Sequence, residues 1–108
     1  FLVVWATKKF RDENPKSYQA VVDAMKEATD AINADKKRAA EIYVKEGGGK
    51  ESVDKLLKIM NDPQIRYQMA PEKILPFAQF MHQVGTIKNR PASWKDLFFP
   101  DVHGMEGS

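Results

Sequence analysis

The chain has 108 residues, 43% hydrophobic and 30% charged, with 17 basic and 15 acidic side chains for a net charge of +2. That size and balance suit one small domain or a piece of a larger one. They exclude a nucleic-acid footprint, which needs a basic face with interleaved aromatics. The lack of cysteine excludes disulfides, thiolate zinc sites and cysteine nucleophiles.

The chain opens on Phe1, Leu2, Val3, Val4, Trp5, Ala6 and Thr7. This apolar, partly β-branched run predicts a buried strand. Lys8, Lys9, Phe10, Arg11, Asp12 and Glu13 follow as a polar exit. No second convincing strand comes after it. Its pairing partners are therefore expected upstream, outside this chain, which reads as a fragment. In the isolated chain the strand is expected to pair with a second copy or to pack as an irregular arm. No apolar run approaches the roughly 20 residues that cross a bilayer.

Asn14 and Pro15 predict a helix start, with asparagine as the cap and proline at the first helical position. The helix is expected over residues 15–33. Its apolar stripe is Tyr18, Val21, Val22, Met25, Ala28 and Ile32, spaced by three and four. Asp35 is the expected cap of a second helix over 36–46, with Ala39, Ala40, Tyr43 and Val44 inward. Gly47, Gly48 and Gly49 stop it. Lys36, Lys37 and Arg38 fall in its first turn, where they oppose the helix dipole and read as a solvated start. Ser52 caps a third helix over 53–61, with Val53, Leu56, Leu57 and Met60 inward, ended by Asp62 and Pro63.

Residues 64–70 place Ile65, Tyr67 and Met69 on one side, as either a short edge strand or an anchored loop. Pro71 opens a last helix over 72–84, closed by Gly85, with Ile74, Phe77, Ala78, Met81 and Val84 inward and Pro76 delaying or kinking it. His82 falls on its polar side. In the tail, residues 93–98 predict one helical turn whose Trp94, Leu97, Phe98 and Phe99 dock on the body. Residues beyond Val102 are expected to be mobile. The three parts are thus a strand (1–13), a helical body (14–85) and a tail (86–108). The fold class is mainly α, about four helices after one N-terminal strand.

Few residues carry chemistry. The three glycines follow a helix rather than a strand, and Lys50 precedes Glu51, so they do not make a phosphate loop. His82 and His103 lack metal-ligand spacing. No serine lies in a nucleophile-elbow context. The carboxylates are scattered over helix surfaces. No catalytic residue, metal or cofactor is expected, and the segment does not read as an enzyme.

The order of several short motifs is more informative. They are Ala6-Thr7-Lys8-Lys9-Phe10, then Glu13-Asn14-Pro15, Val22-Asp23-Ala24, Ala31-Ile32-Asn33-Ala34-Asp35 and Ala39-Ala40. Toward the end come residues 80–88 (Phe-Met-His-Gln-Val-Gly-Thr-Ile-Lys) and 91–98 (Pro-Ala-Ser-Trp-Lys-Asp-Leu-Phe). In this order the chain resembles the C-terminal part of ABC-transporter solute-binding proteins, of the nitrate/sulfonate/taurine and thiamine-precursor group. The resemblance covers nearly the whole chain. The glycine run and Lys36-Lys37-Arg38 depart from it.

The resemblance implies the C-terminal segment of a two-lobed α/β periplasmic-binding-protein fold of type II, which closes like a hinged trap. The opening strand would be a crossing between lobes, with Trp5 and Thr7 nearest the ligand cleft. The partners implied are a small organic solute (sulfonate- or nitrate-like, or pyrimidine-like) and an ABC permease. The place implied is the periplasm or another extracytoplasmic compartment, with any membrane anchor upstream. An enzyme of pyrimidine-precursor synthesis on the same fold is a second reading, and it would need catalytic residues upstream. A free-standing helical interaction module with an apolar N-terminal arm is the third.

Overall fold

Five α-helices in chain order account for the regular structure of the computed structural model, which describes residues 2–47 and 49–108. They are α1 (Lys8–Glu13), α2 (Pro15–Ala34), α3 (Lys36–Lys45), α4 (Val53–Met60) and α5 (Ile74–Gln83), followed by 3-10 turns at Trp94–Leu97 and Pro100–Val102. The chain is mainly α, as its apolar spacing predicts. No strand occurs among the described residues. Phe1 and Gly48, which belong to the expected strand and to the glycine run, lie outside them.

The expected N-terminal strand is corrected. Residues 2–6 form neither helix nor strand, and the polar exit is itself helical. Two physical reasons account for this. A strand is held by the neighbour that takes its N–H and C=O groups, and no such neighbour exists among the described residues. Thr7 meanwhile starts a helix, because its Oγ1 accepts from the Phe10 backbone N–H at 3.0 Å.

The chain divides into two compact units, Phe1–Tyr67 and Gln68–Ser108. In the first, α1 packs on α2, α2 on α3 and α3 on α4. The α1–α2 joint is Asn14. Its side chain does not cap α2, as Asn-Pro suggests; its Nδ2 donates back to Phe10 O at 3.2 Å and closes α1 instead. Pro15 still takes the first helical position, where its missing N–H has no consequence.

On α2 the covered row is Tyr18, Val22, Met25, Thr29 and Ile32, all half-buried. Val21 and Ala28, expected in that stripe, lie at its exposed margin. Thr29 fits the row because its hydroxyl donates to Met25 O at 2.8 Å and leaves only its methyl to pack.

The α3–α4 pair holds what core this unit has. Ala40 is fully covered and Met60 nearly so. Both predicted caps form: Asp35 accepts from the Arg38 backbone N–H at 2.9 Å, and Ser52 from that of Lys55 at 3.3 Å. Lys36, read as part of a solvated start, instead donates from Nζ to Met60 O at 2.8 Å. Its charge sits at the C-terminal end of α4, where the helix dipole favours a cation. Asn33 Nδ2 donates to Tyr67 O at 2.9 Å and ties the segment after α4 to the end of α2. Of the two readings left open for residues 64–70, the loop is the one observed.

In the second unit α5 starts at Ile74, later than expected. Pro76 is then the third helical residue. Its missing N–H falls among the first four, which have no partner within a helix in any case. The delay is taken up at Lys73, which adopts a left-handed conformation with φ 54°. At the other end, Gly85 has φ 79°, and the Thr86 and Gly85 N–H groups donate to Met81 O (2.8 Å) and His82 O (3.0 Å). That paired ending is the Schellman arrangement, which needs a residue tolerant of positive φ after the helix.

The tail is the second correction. The turn at Trp94–Leu97 forms, with Ser93 and Asp96 capping each other's backbone as a reciprocal box. Trp94 is buried beneath it, only 8% exposed. The residues beyond Val102, expected to be mobile, are fastened down. His103 Nε2 donates to Phe98 O at 2.9 Å, and its ring stands edge-on to Trp94, with centroids 5.9 Å apart. Ser108 donates from its backbone to Pro71 O at 2.9 Å and accepts from Ile74 N at 2.8 Å and, through Oγ, from Lys73 N at 3.0 Å.

Candidate functional site

The N-terminal arm is the most exposed apolar feature in the chain. Leu2, Val3, Val4 and Trp5 are all exposed, Trp5 at 81%. An isolated exposed apolar residue needs no explanation, whereas four in sequence form a patch that water does not favour. Behind the arm the surface turns basic, with Lys8 and Lys9 exposed at the start of α1.

The two residues singled out by resemblance lie at the base of this arm. Trp5 presents its ring to solvent. Thr7 is exposed, with its hydroxyl engaged by the Phe10 N–H as the cap of α1. They are near in sequence, and one has a free surface while the other has a local backbone role.

A second incomplete surface lies on the helices of the first unit. α2 runs for 20 residues with none fully buried. Ile42 and Tyr43 on α3 and Ile59 on α4 are also exposed. In the second unit, α5 buries Ala78 while Phe77, Phe80 and Val84 face outward, Phe80 at 57%.

Area gives these faces a scale. The chain exposes 8637 Å². Two separate compact globules of the same total mass would expose about 7,300 Å² by the usual scaling of surface with mass. The excess is about 1,300 Å², more than the ~800 Å² that each partner of an ordinary stable interface contributes.

A shallow, open depression runs along α2, lined by Asp23, Lys26, Glu27, Asp30, Ala31 and Ala34. It has one helix as its only wall, and Lys26 and Asp30 pair within it at 2.8 Å. That hydrogen bond, with the carboxylate charge behind it, raises the Lys26 pKa above 10.5. Among the described residues no group of three or more His, Asp or Glu side chains gathers as a metal site. No described helix is long and apolar enough to cross a membrane.

Both histidines have structural partners that sequence spacing does not reveal. His103 is engaged with Phe98 O and Trp94 as described. His82, expected on a polar face, is half-buried, with Nδ1 at 3.2 Å from Ile87 O. A carbonyl can only accept, so Nδ1 carries the hydrogen. The ring links α5 to the turn after it, where the neighbouring glycine reverses the chain.

No family model, curated protein or solved structure matches this chain.

Proposed function

We propose that this chain is the C-terminal part of an extracytoplasmic solute-binding protein that delivers a small organic solute to an ABC permease. The ordered motifs set out above support the reading. The observation that carries it is the bare apolar arm, Leu2 to Trp5, at the head of a helical series whose faces are only half covered. In a two-lobed binding protein such an arm becomes a crossing strand once a sheet pairs with it, and the helices become outer cover for that sheet. Hinge closure then traps the solute between lobes. Trp5 lies on the crossing, close to the cleft, and Thr7 marks where the crossing gives way to helix. The solute is of sulfonate-, nitrate- or pyrimidine-like type.

A ligand that binds only the folded protein raises its melting temperature by mass action. Thermal-shift screening of the longest natural polypeptide that contains this chain, against small organic anions and pyrimidine precursors, is expected to give a saturable rise. Replacing Trp5 by Ala is expected to weaken it. A flat response to both classes of compound would contradict the proposal.

The exposed arm also favours a second reading, a helical interaction module that associates through residues 1–7. The two readings differ in what covers Trp5. In the module, mass measurement on the 108-residue chain gives a concentration-dependent dimer that Trp5→Asp abolishes. In the binding protein, the cover is the rest of the polypeptide.

A further inference from the structure

The tail holds a feature that solute binding does not use. Residues 105–108 cross the bend that leads into α5 and end at Ser108, which makes three hydrogen bonds there. Two of the donors are successive backbone N–H groups, Lys73 and Ile74. They point the same way because Lys73 is left-handed and Ile74 is the first residue of the helix. Adjacent N–H groups arranged like this form a concave nest for oxygen atoms, and the start of a helix adds its partial positive charge. Here the nest receives the hydroxyl and carbonyl oxygens of Ser108. One residue earlier, Gly107 lies flat on the buried indole. A Cβ built there would come within 2.8 Å of Trp94 Cε2 and Cζ2 and 3.1 Å of Pro71 O. The site therefore reads two properties, no side chain over the indole and a hydroxyl-bearing residue at the nest.

We propose that the Pro71–Lys73–Ile74 bend and Trp94 form a peptide-binding groove in which residues 105–108 sit as an intramolecular ligand, a separable strap rather than part of the core. Its ligand class is a short segment with glycine followed by serine, held by two main-chain hydrogen bonds and one to the serine hydroxyl. α5 has its own C-terminal ending and its own buried Ala78, so it keeps its helix when the strap leaves.

The test uses Trp94 as reporter, in a Trp5→Phe background. Removing residues 105–108 is expected to red-shift the indole emission and raise its quenching by acrylamide several-fold, with helix content unchanged by circular dichroism. Gly107→Val in the full chain, which keeps Ser108, is expected to do the same. A free peptide of residues 102–108, added to the shortened chain, is expected to reverse the shift saturably, and the same peptide with Val at the glycine position to fail. The proposal is overturned if Trp94 stays protected without the strap or if the peptide does not restore protection. It is equally overturned if helix content falls in both variants, since the segment would then be an inseparable part of the fold.

Discussion

The two ends of this chain reverse what their composition suggests. The start is strongly apolar, with two aromatic and several aliphatic residues in its first five, yet its described residues stand open to solvent. The last residues are small and polar, with Gly104, Glu106, Gly107 and Ser108 among them, yet they are fastened by several backbone and side-chain hydrogen bonds. Apolar content states that a segment gains by burial; it does not supply the surface that buries it. Backbone groups with partners in reach can order a segment of little hydrophobicity. Order at these two ends follows the available partners rather than the hydropathy of the segment.

Each end carries one tryptophan, so the contrast can be measured with a single substitution at each. Trp94→Ala is expected to cost about 3 kcal/mol or more in denaturant unfolding, since it removes the largest buried side chain of the second unit. Trp5→Ala is expected to stay within about 0.5 kcal/mol in the isolated chain, as for other exposed sites. Equal costs at the two positions would mean that the arm is buried in solution.

Gly107→Ala comes next. The added methyl meets a packed indole rather than the free end of a flexible side chain. An overpacking cost of about 1–3 kcal/mol is expected, read as a lower denaturation midpoint at unchanged slope. A glycine that only allowed flexibility would give a neutral or stabilising change on substitution.

Much of the helical body was legible in the sequence, and the reason is local. Asp35 and Ser52 cap their helices as read because a cap depends on the residue itself and an N–H three positions later. The inward row of α4 follows from 3.6-residue spacing in the same way, and so does that of α3 except for Tyr43, which is expected inward and is 53% exposed. What the sequence pattern does not show is set by partners distant in sequence. Lys36 reaches Met60 O across 24 residues, and Ser108 reaches Lys73 across 35. The missing strand has the same origin, since β-branched residues favour a sheet only when there is a sheet to join. For the candidate site, Trp5 and Thr7 come only from the family resemblance. The cap at Thr7 has a local signal, a threonine before polar helix-forming residues, in the same stretch as the apolar run that suggests a strand.

The caps allow a smaller test. Asp35→Ala and Ser52→Ala are each expected to lower stability by about 1 kcal/mol. Asn14→Ala, at a position that also looks like a cap but whose side chain caps nothing in α2, is expected to cost less than about 0.5 kcal/mol. Thermal melts of the three variants would separate them by rank.

The smallest effect concerns Lys26 and Asp30, a fully exposed pair on α2. The hydrogen bond and the carboxylate charge raise the Lys26 pKa in the folded chain. Its contribution is therefore complete below 10.5, the unfolded value, and is lost as pH rises through the higher folded value. Asp30→Asn is expected to change the melt barely at neutral pH, and the difference from the parent chain to vanish on alkaline titration. A difference that grew with pH would reverse the assignment.

Amide hydrogen exchange on the 108-residue chain, at a concentration too low for self-association, compares the two ends in one experiment. The account predicts that the amides of residues 2–6 exchange at the rate of an unstructured peptide, while those of Ile74 and Ser108 are clearly protected, though less than the middle of α5 because the strap can open on its own. Protection of residues 2–6 together with free exchange at Ile74 and Ser108 would contradict it.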